Sequence, residues 1–423
     1  MSRGRTGGSA IRIIGKTFVV LLLLFSFAVA ATYLGYLPSP SEGAVLSRQM
    51  VDMNSLGRTE TNTTPVLPDE PEQTEESSYQ PLRYYGEILS PEEYDIYRDV
   101  VAVLMNQEES LHIGDISETA LKAICHYVYL DYPEMFWYEG NWSYYYQQGG
   151  YSKTDILRNV TLEFSYTMTP EERAGAQLRV NERAGEFMKA ASACESDYAK
   201  VLLCYTKLIQ ETVYNKNERD QSLYQVFIRG GGVCTGYAKS MQYLLHQMGI
   251  DCILVQGEAN GESHIWNMVR IDGRYYHLDA TWGDMTFVGD YQPSSDYVSY
   301  NYFGLMTEEI SKTHTIAEEL LDKIPPATSR GYNYFVQEGL YFQEYDYAAI
   351  ELLVFDGLQK GLESVAVRFS SQEAYEQARV ALFEKGGLSV LMRNYQDMVE
   401  NRDISLRYRG DDVNYIIEFY LDE

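Results

Sequence analysis

The chain has 423 residues, a formal net charge of −27, 45% hydrophobic residues, 38 tyrosines and five cysteines. So acidic a balance argues against nucleic acid and against an anionic lipid surface as partners, suits solubility outside the cell and favours basic peptides electrostatically. An odd cysteine count leaves at least one thiol unpaired, and no spacing has the pattern of a zinc site or a disulfide framework. No metal and no cofactor is expected, beyond the weak calcium binding open to any chain this acidic.

At the N-terminus, Arg3, Arg5, Arg12 and Lys16 precede an apolar run from Thr17 to about Leu37. Residues 1–37 therefore read as a signal peptide or an N-terminal membrane anchor. Ala28-Val29-Ala30 fits a cleavage site, while a run of roughly 21 residues is also long enough to span a bilayer uncleaved. Positive charge lies on the near side only, so everything from residue 38 onward should face outward. Residues 38–80, rich in Pro, Ser, Thr and Glu, read as a disordered stalk, with a cleavable pro-segment as the alternative.

An N-terminal α+β region is expected over residues 81–168. Ser90-Pro91-Glu92-Glu93 combines a capping box with proline at the first helical position, predicting a helix to about Met105. Ser117 to Tyr129 reads as a second helix, and Val160 to Met168 as a strand with Leu162, Phe164 and Tyr166 on one face. Between them lie Phe136, Trp137, Tyr138, Trp142, Tyr144, Tyr145 and Tyr146. An aromatic core or Tyr-rich edge strand explains this cluster better than a platform for sugars or an extended peptide.

Residues 169–325 carry the chemistry. Thr169-Pro170-Glu171-Glu172 caps a helix to about Ala191, and Asp197 to Val213 forms the next. Gly230-Gly231-Gly232-Val233-Cys234 then leads into a stretch where Tyr237, Met241, Leu244, Leu245 and Met248 share a helical face, with Gly249 as its stop. A helix beginning near Cys234 would present its orphan N–H groups to the sulfur, and to an oxyanion on an attacked carbonyl.

His264–Ile271 and Arg274–Thr281 flank Asp272-Gly273, a strong signal for a two-residue hairpin turn. In that register opposed residues sum to 545, so His264 faces Thr281 and Asp279 is its diagonal neighbour at roughly 7 Å between backbones. Ile265, Val269, Ile271, Tyr276, Leu278 and Ala280 occupy the other face, which predicts one core face and one reactive face. Asn267 falls on the core side and needs a buried hydrogen-bond partner there. Cys234, His264 and Asp279 supply, in order, what a thiol nucleophile with an oriented base requires.

After about residue 326 a second α+β unit is expected, an accessory domain over 326–423. Phe335 to Phe342 reads as a hairpin and Ser364 to Phe369 as a strand. Ser370-Ser371-Gln372-Glu373 caps a helix toward Lys385, and Ile404–Tyr408 with Val413–Phe419 closes the chain as a hairpin.

The words Gly232-Val233-Cys234-Thr235-Gly236-Tyr237-Ala238, His264-Ile265-Trp266-Asn267 and Tyr276-His277-Leu278-Asp279-Ala280-Thr281-Trp282 resemble the transglutaminase-like superfamily, in its secreted bacterial branch related to papain-like thiol enzymes. The resemblance covers about residues 195–290. It implies an α+β fold in which the nucleophile helix packs on an antiparallel sheet, with Cys234 as nucleophile, His264 as general base and Asp279 orienting the imidazole. Tyr205, Tyr214 and Gln225 are candidates for a second oxyanion donor. Trp266, Trp282 and Tyr237 are candidates for the substrate pocket, packing around the site being the competing role of the tryptophans. His277 is a secondary candidate for the base.

The expected activity is acyl transfer on protein or peptide amide groups at the cell surface. Transamidation, peptidase and amidase chemistry would all use the same residues, and a catalytically silent cell-surface binding module is the alternative of a different class.

Overall fold

The computed structural model describes residues 79–147, 156–215, 221–284, 294, 296–398 and 405–422. The apolar segment before residue 38, and all but the last two residues of the 38–80 stretch, lie outside them. Among the described residues no helix is long and apolar enough to cross a membrane.

Local capping chemistry sets the first elements. A short helix α1 (Tyr84–Glu87) is followed by α2 (Pro91–Asn106), where Ser90 accepts from the Glu93 N–H and the Glu93 carboxylate accepts from the Ser90 N–H. Strand β1 (Ser110–Ser117) leads directly into α3 (Glu118–Asp131), capped by the Ser117 hydroxyl. Strands β2 (Trp142–Gln147) and β3 (Ile156–Phe164) complete an antiparallel sheet of order β1-β3-β2. The aromatic cluster divides: Phe136, Trp137 and Tyr138 are core residues, while Tyr145 and Tyr146 remain exposed on the edge strand β2. Buried Asp131 ties this region together by accepting from the N–H groups of Tyr85 (3.2 Å) and Gly86 (2.8 Å) and from the Tyr97 hydroxyl (2.7 Å).

Helix α4 (Pro170–Ala191) starts with a second complete capping box, Thr169 with Glu172, and α5 (Asp197–Gln210) follows. A two-residue strand β4 (Val213–Tyr214) pairs in parallel with β5 (Gly231–Gly232), which immediately precedes α6 (Cys234–Gln247). The triple-glycine stretch is thus pinned as a strand, and a five-residue π-helical turn (Gln225–Arg229) feeds it.

The central sheet contains β6 (Cys252–Ala259), β7 (Glu262–Ile271), β8 (Arg274–Leu278), β9 (Phe303–Leu305) and, after helix α7 (Thr307–Ile310), β10 (His314–Ile316). Its order is β10-β6-β7-β8-β9, antiparallel throughout. The β7–β8 turn has Asp272 at φ 47° and Gly273 at φ 74°, both left-handed as a type I′ turn requires. That turn fixes the predicted register as far as it runs, Met268 opposite His277 and Asn267 opposite Leu278, but β8 stops at Leu278 rather than Thr281, so His264 has no partner on β8 and Asp279 lies in the turn that follows. Helix α6 packs on β6 and β7. Asn267 donates to the Ala238 carbonyl of that helix at 2.9 Å, the buried partner its position demanded.

The face that carries His264, Trp266 and His277 is buried as well as the core face, because Tyr302, Thr307 and His314 of the 299–327 segment pack against Trp282, His277 and Asp279 there. The main hydrophobic core runs from Tyr85 to Ala327, with a small separate cluster of Tyr302, Leu305 and Ile310 against Trp282.

The remaining chain has its own core, from Ile350 to Phe419. Phe335–Phe342 is not a hairpin. Asn333 accepts from the Phe335 N–H and starts a helical turn α8 (Tyr334–Gln337), leaving only β11 (Tyr341–Phe342) extended. Helix α9 (Tyr347–Lys360) leads to β12 (Ser364–Phe369), α10 (Gln372–Arg379), α11 (Gly387–Met398) and the hairpin β13 (Ser405–Asp411) with β14 (Ile416–Asp422). The sheet order is β11-β12-β14-β13. A buried ion pair, Arg368 to Glu309 at 3.1 Å, joins this unit to α7 beside the central sheet.

Candidate active site

Cys234 is the first residue of α6. The N-cap, Val233, is extended and offers no side-chain bond, so the first N–H groups of the helix have no side-chain cap. The thiol is half-buried, and the other four cysteines are also free, three of them fully buried. Burial raises Cys125 and Cys204 to about 12, the behaviour of inert core thiols.

His264 lies near the start of β7, with the Cys234 thiol close enough to its ring to help raise the imidazole. Its Nε2 meets Asp279 Oδ2 at 2.7 Å, so Nδ1 is the nitrogen left for the sulfur. Burial opposes a charge on His264, but the Asp279 charge and hydrogen bond, with Cys234 alongside, override it and raise the imidazole to about 10. The reciprocal holds for Asp279. Burial pushes its carboxyl up, and the charge and hydrogen bond of His264, together with the bond from His314, carry it well below the usual carboxylate range.

Asp279 is held on every side. It follows β8 immediately, its N–H donates to the Tyr302 carbonyl at 3.0 Å, and its own carbonyl accepts from the Tyr205 hydroxyl at 3.2 Å. Oδ1 accepts from the N–H groups of Thr281 (2.9 Å) and Trp282 (3.2 Å), a local turn that orients the carboxylate. Oδ2 is thereby turned toward His264, and it also receives His314 Nε2 at 3.0 Å.

His314 is absent from the set that the sequence suggested. It sits on β10, 35 residues beyond Asp279 and two strands from His264, and becomes a neighbour only when β10 pairs with β6. The alternation of His314 and Ile316 with exposed Thr315 was the one sequence signal for it.

The other candidates take defined places. His277 is fully buried; its Nδ1 accepts from Trp266 Nε1–H at 3.0 Å, and its Nε2–H therefore faces Thr307 Oγ1 at 3.1 Å. Burial and neighbouring His314 lower it to about 3, so it stays neutral and bonds structurally. Trp266 has no exposed surface and stacks beside His264, with ring centroids 6.0 Å apart. Tyr237 is equally enclosed, its hydroxyl on Asp284. Trp282 alone of the three retains exposed surface near the site. Tyr205 spends its hydroxyl on the Asp279 and Ser299 carbonyls, so it cannot serve an oxyanion. Gln225 lies on the π-helical turn and Tyr214 on β4, both upstream of the cysteine.

Among the described residues, His264, Asp279 and His314 are the one His/Cys/Asp/Glu group drawn close enough to hold a metal, with ligand atoms within 4.8 Å of one another. Their contacts of 2.7 and 3.0 Å are hydrogen-bond lengths, shorter than the roughly 3.3 Å between ligand atoms around tetrahedral zinc. Two imidazole N–H groups on one ionised oxygen account for the geometry.

Residues 187–280 match the family model described as the Transglutaminase-like superfamily, a span that includes Cys234, His264 and Asp279. No curated protein matches the chain. Among solved structures, a TGase is similar at 17% identity and a TM-score of 0.25, over 34% of this chain and 44% of that one. The periplasmic domain of TgpA from Pseudomonas aeruginosa, bound to ethylmercury, is similar at 17% identity and a TM-score of 0.21, over 30% of this chain and 59% of that one. A candidate cysteine protease from Cytophaga hutchinsonii is similar at 12% identity and a TM-score of 0.23, over 41% of this chain and 67% of that one. The chain thus spans less than half of the TGase structure.

Proposed function

We propose that this chain, whose residues 187–280 form a transglutaminase-like domain, is a thiol acyl-transfer enzyme acting on carboxamide or peptide groups outside the cytoplasm. The observation that carries the reading is the line of contacts from the thiol at the start of α6, through His264, to the fixed Asp279 carboxylate. Asp279 stabilises the imidazolium, so the Cys234 proton passes to His264 Nδ1 before attack and the thiolate of this ion pair adds to the carbonyl carbon. The uncapped N–H groups of α6 face the developing oxyanion. Collapse of the tetrahedral intermediate breaks the C–N bond, and the imidazolium returns its proton to the departing amine. A thioester on Cys234 remains. A primary amine then completes transamidation, or water completes hydrolysis; the same three residues serve both. The export segment before residue 38 supports an extracytoplasmic location, and the charge of −27 favours basic protein or peptide substrates.

The test uses a protected glutaminyl-glycine peptide with a fluorescent primary amine, in wild type and Cys234→Ala. Amine incorporation, the deamidated glutamyl peptide with ammonia, or released glycine, with a thioester adduct trapped on Cys234, supports the proposal. Absence of all these products, together with iodoacetamide labelling of Cys234 that ignores His264→Ala, would sink it.

A further inference from the structure

We infer that His314 is a positioning residue for the proposed acyl transfer, acting on His264 through the shared oxygen of Asp279. The inference rests on the reading of Cys234 and His264 given above. Asp279 Oδ2 receives two imidazole nitrogens, His264 Nε2 at 2.7 Å and His314 Nε2 at 3.0 Å, while Oδ1 is taken by the N–H groups of Thr281 and Trp282. An ionised carboxylate only accepts, so both Nε2 atoms carry protons, which fixes the orientation of each ring.

His314 is itself held firmly. Its Nδ1 meets Thr313 Oγ1 at 2.8 Å, and its ring is enclosed by Trp282, Trp266 and Tyr302 at centroid distances of 4.7, 5.0 and 5.5 Å. With its side chain fully buried, it cannot reach a substrate. Strand β10 holds it in place, and Gly257 permits the close approach of that strand: a Cβ there would lie 1.9 Å from the Thr315 carbonyl oxygen.

The physical consequence follows from the geometry. A carboxylate bonded on Oδ1 alone can rock about that side. The second donor pins Oδ2 against rotation and holds His264 with Nδ1 toward the sulfur. Without it, His264 samples orientations in which the thiol proton has no acceptor, and part of the pre-organisation is lost.

The experiment uses the full chain and measures the second-order rate of iodoacetamide alkylation of Cys234 at pH 7 by peptide mass spectrometry. The variants are His314→Phe, which fills the aromatic cage without a donor, and His314→Gln, whose amide N–H sits where Nε2–H was. His264→Phe is the reference for complete loss. The expected result is a fall of about tenfold in His314→Phe, the scale of one charge-assisted hydrogen bond, with most of the rate recovered in His314→Gln. Proton NMR of histidine-labelled wild type at pH 7 should also show, among its low-field ring N–H resonances, one that is lost in His264→Phe and another that is lost in both His314→Phe and His314→Gln. This spectrum decides the question even if His314→Phe fails to fold.

A His314→Phe protein that alkylates at the wild-type rate while His264→Phe is slow would overturn the role of His314 and leave Cys234 and His264 standing. A low-field spectrum of His314→Gln that keeps every wild-type resonance would do the same. Alkylation indifferent to His264→Phe would overturn both.

Discussion

Asp279→Asn tests the electrostatics of the site most directly. Asparagine can keep its carbonyl on the Thr281 and Trp282 N–H groups, which places its NH2 against the two Nε2–H donors that Oδ2 now accepts. His264 must then shed the Nε2 proton or turn away, and the Nδ1–H tautomer that results cannot take a proton from Cys234. His264 is raised from 6.5 to about 10 although burial opposes its charge, and the Asp279 charge and hydrogen bond are the chief cause. Removing one partner of a buried ion pair costs about 3–5 kcal/mol. Thiol alkylation at pH 7 should therefore slow by roughly a hundred- to a few thousandfold. In wild type the histidine, raised above its unfolded value, contributes stability that is complete below pH 6.5 and disappears as pH climbs toward 10. Asp279, held low, contributes the carboxylate side of the same pair above pH 3.8 and loses it in strong acid. Alkylation rates by mass spectrometry, with NMR titration of His264, check both parts. A folded Asp279→Asn protein that reacts within threefold of wild type, or whose His264 still titrates near 10, would refute the reasoning.

Tyr205→Phe removes one hydroxyl from the fully buried contact with the Asp279 and Ser299 carbonyls; a loss of about 1–3 kcal/mol is expected in urea unfolding, and an unchanged midpoint would show that the carbonyls find other donors. Gly257→Ala forces a methyl into the Thr315 backbone, so β10 must separate from β6; melting should drop by several degrees and Cys234 alkylation should slow in the same protein, whereas a wild-type melt would contradict the close approach. Asp131→Asn turns an NH2 toward donors from Tyr85, Gly86 or Tyr97, and about 1–3 kcal/mol should be lost while the alkylation rate of Cys234 at pH 7 stays within twofold. Cys234→Ala should abolish acyl transfer with a melt close to wild type, because the side chain is half-buried at a helix start; a large drop in stability would make the residue structural.

Much of the site is written locally. Asp272-Gly273 demands a type I′ turn, and that turn sets the β7–β8 register that delivers Asp279, one residue past Leu278, toward His264, where the Thr281 and Trp282 N–H groups orient it. The capping boxes at Ser90 and Thr169 start their helices where their hydrogen bonds require. The start of α6 at Cys234 likewise follows from the apolar spacing behind it. These features depend on residues within a few positions of one another, so the sequence by itself determined them.

What covers the hairpin was decided only in three dimensions. A buried face and a solvent face have the same alternation when the covering segment comes from residues 299–327, and His277 and Trp266 then become enclosed structural groups rather than reactive ones. The helix at Tyr334–Gln337 replaces a plausible hairpin because one Asn333 side chain caps it. His314 reaches Asp279 across 35 residues through a strand pairing that spends its free energy far from either residue, on the β6–β10 ladder and the aromatic cage. Turn chemistry and periodicity act over neighbours and can be read from a string, whereas the second donor on a carboxylate depends on which distant strand arrives beside it.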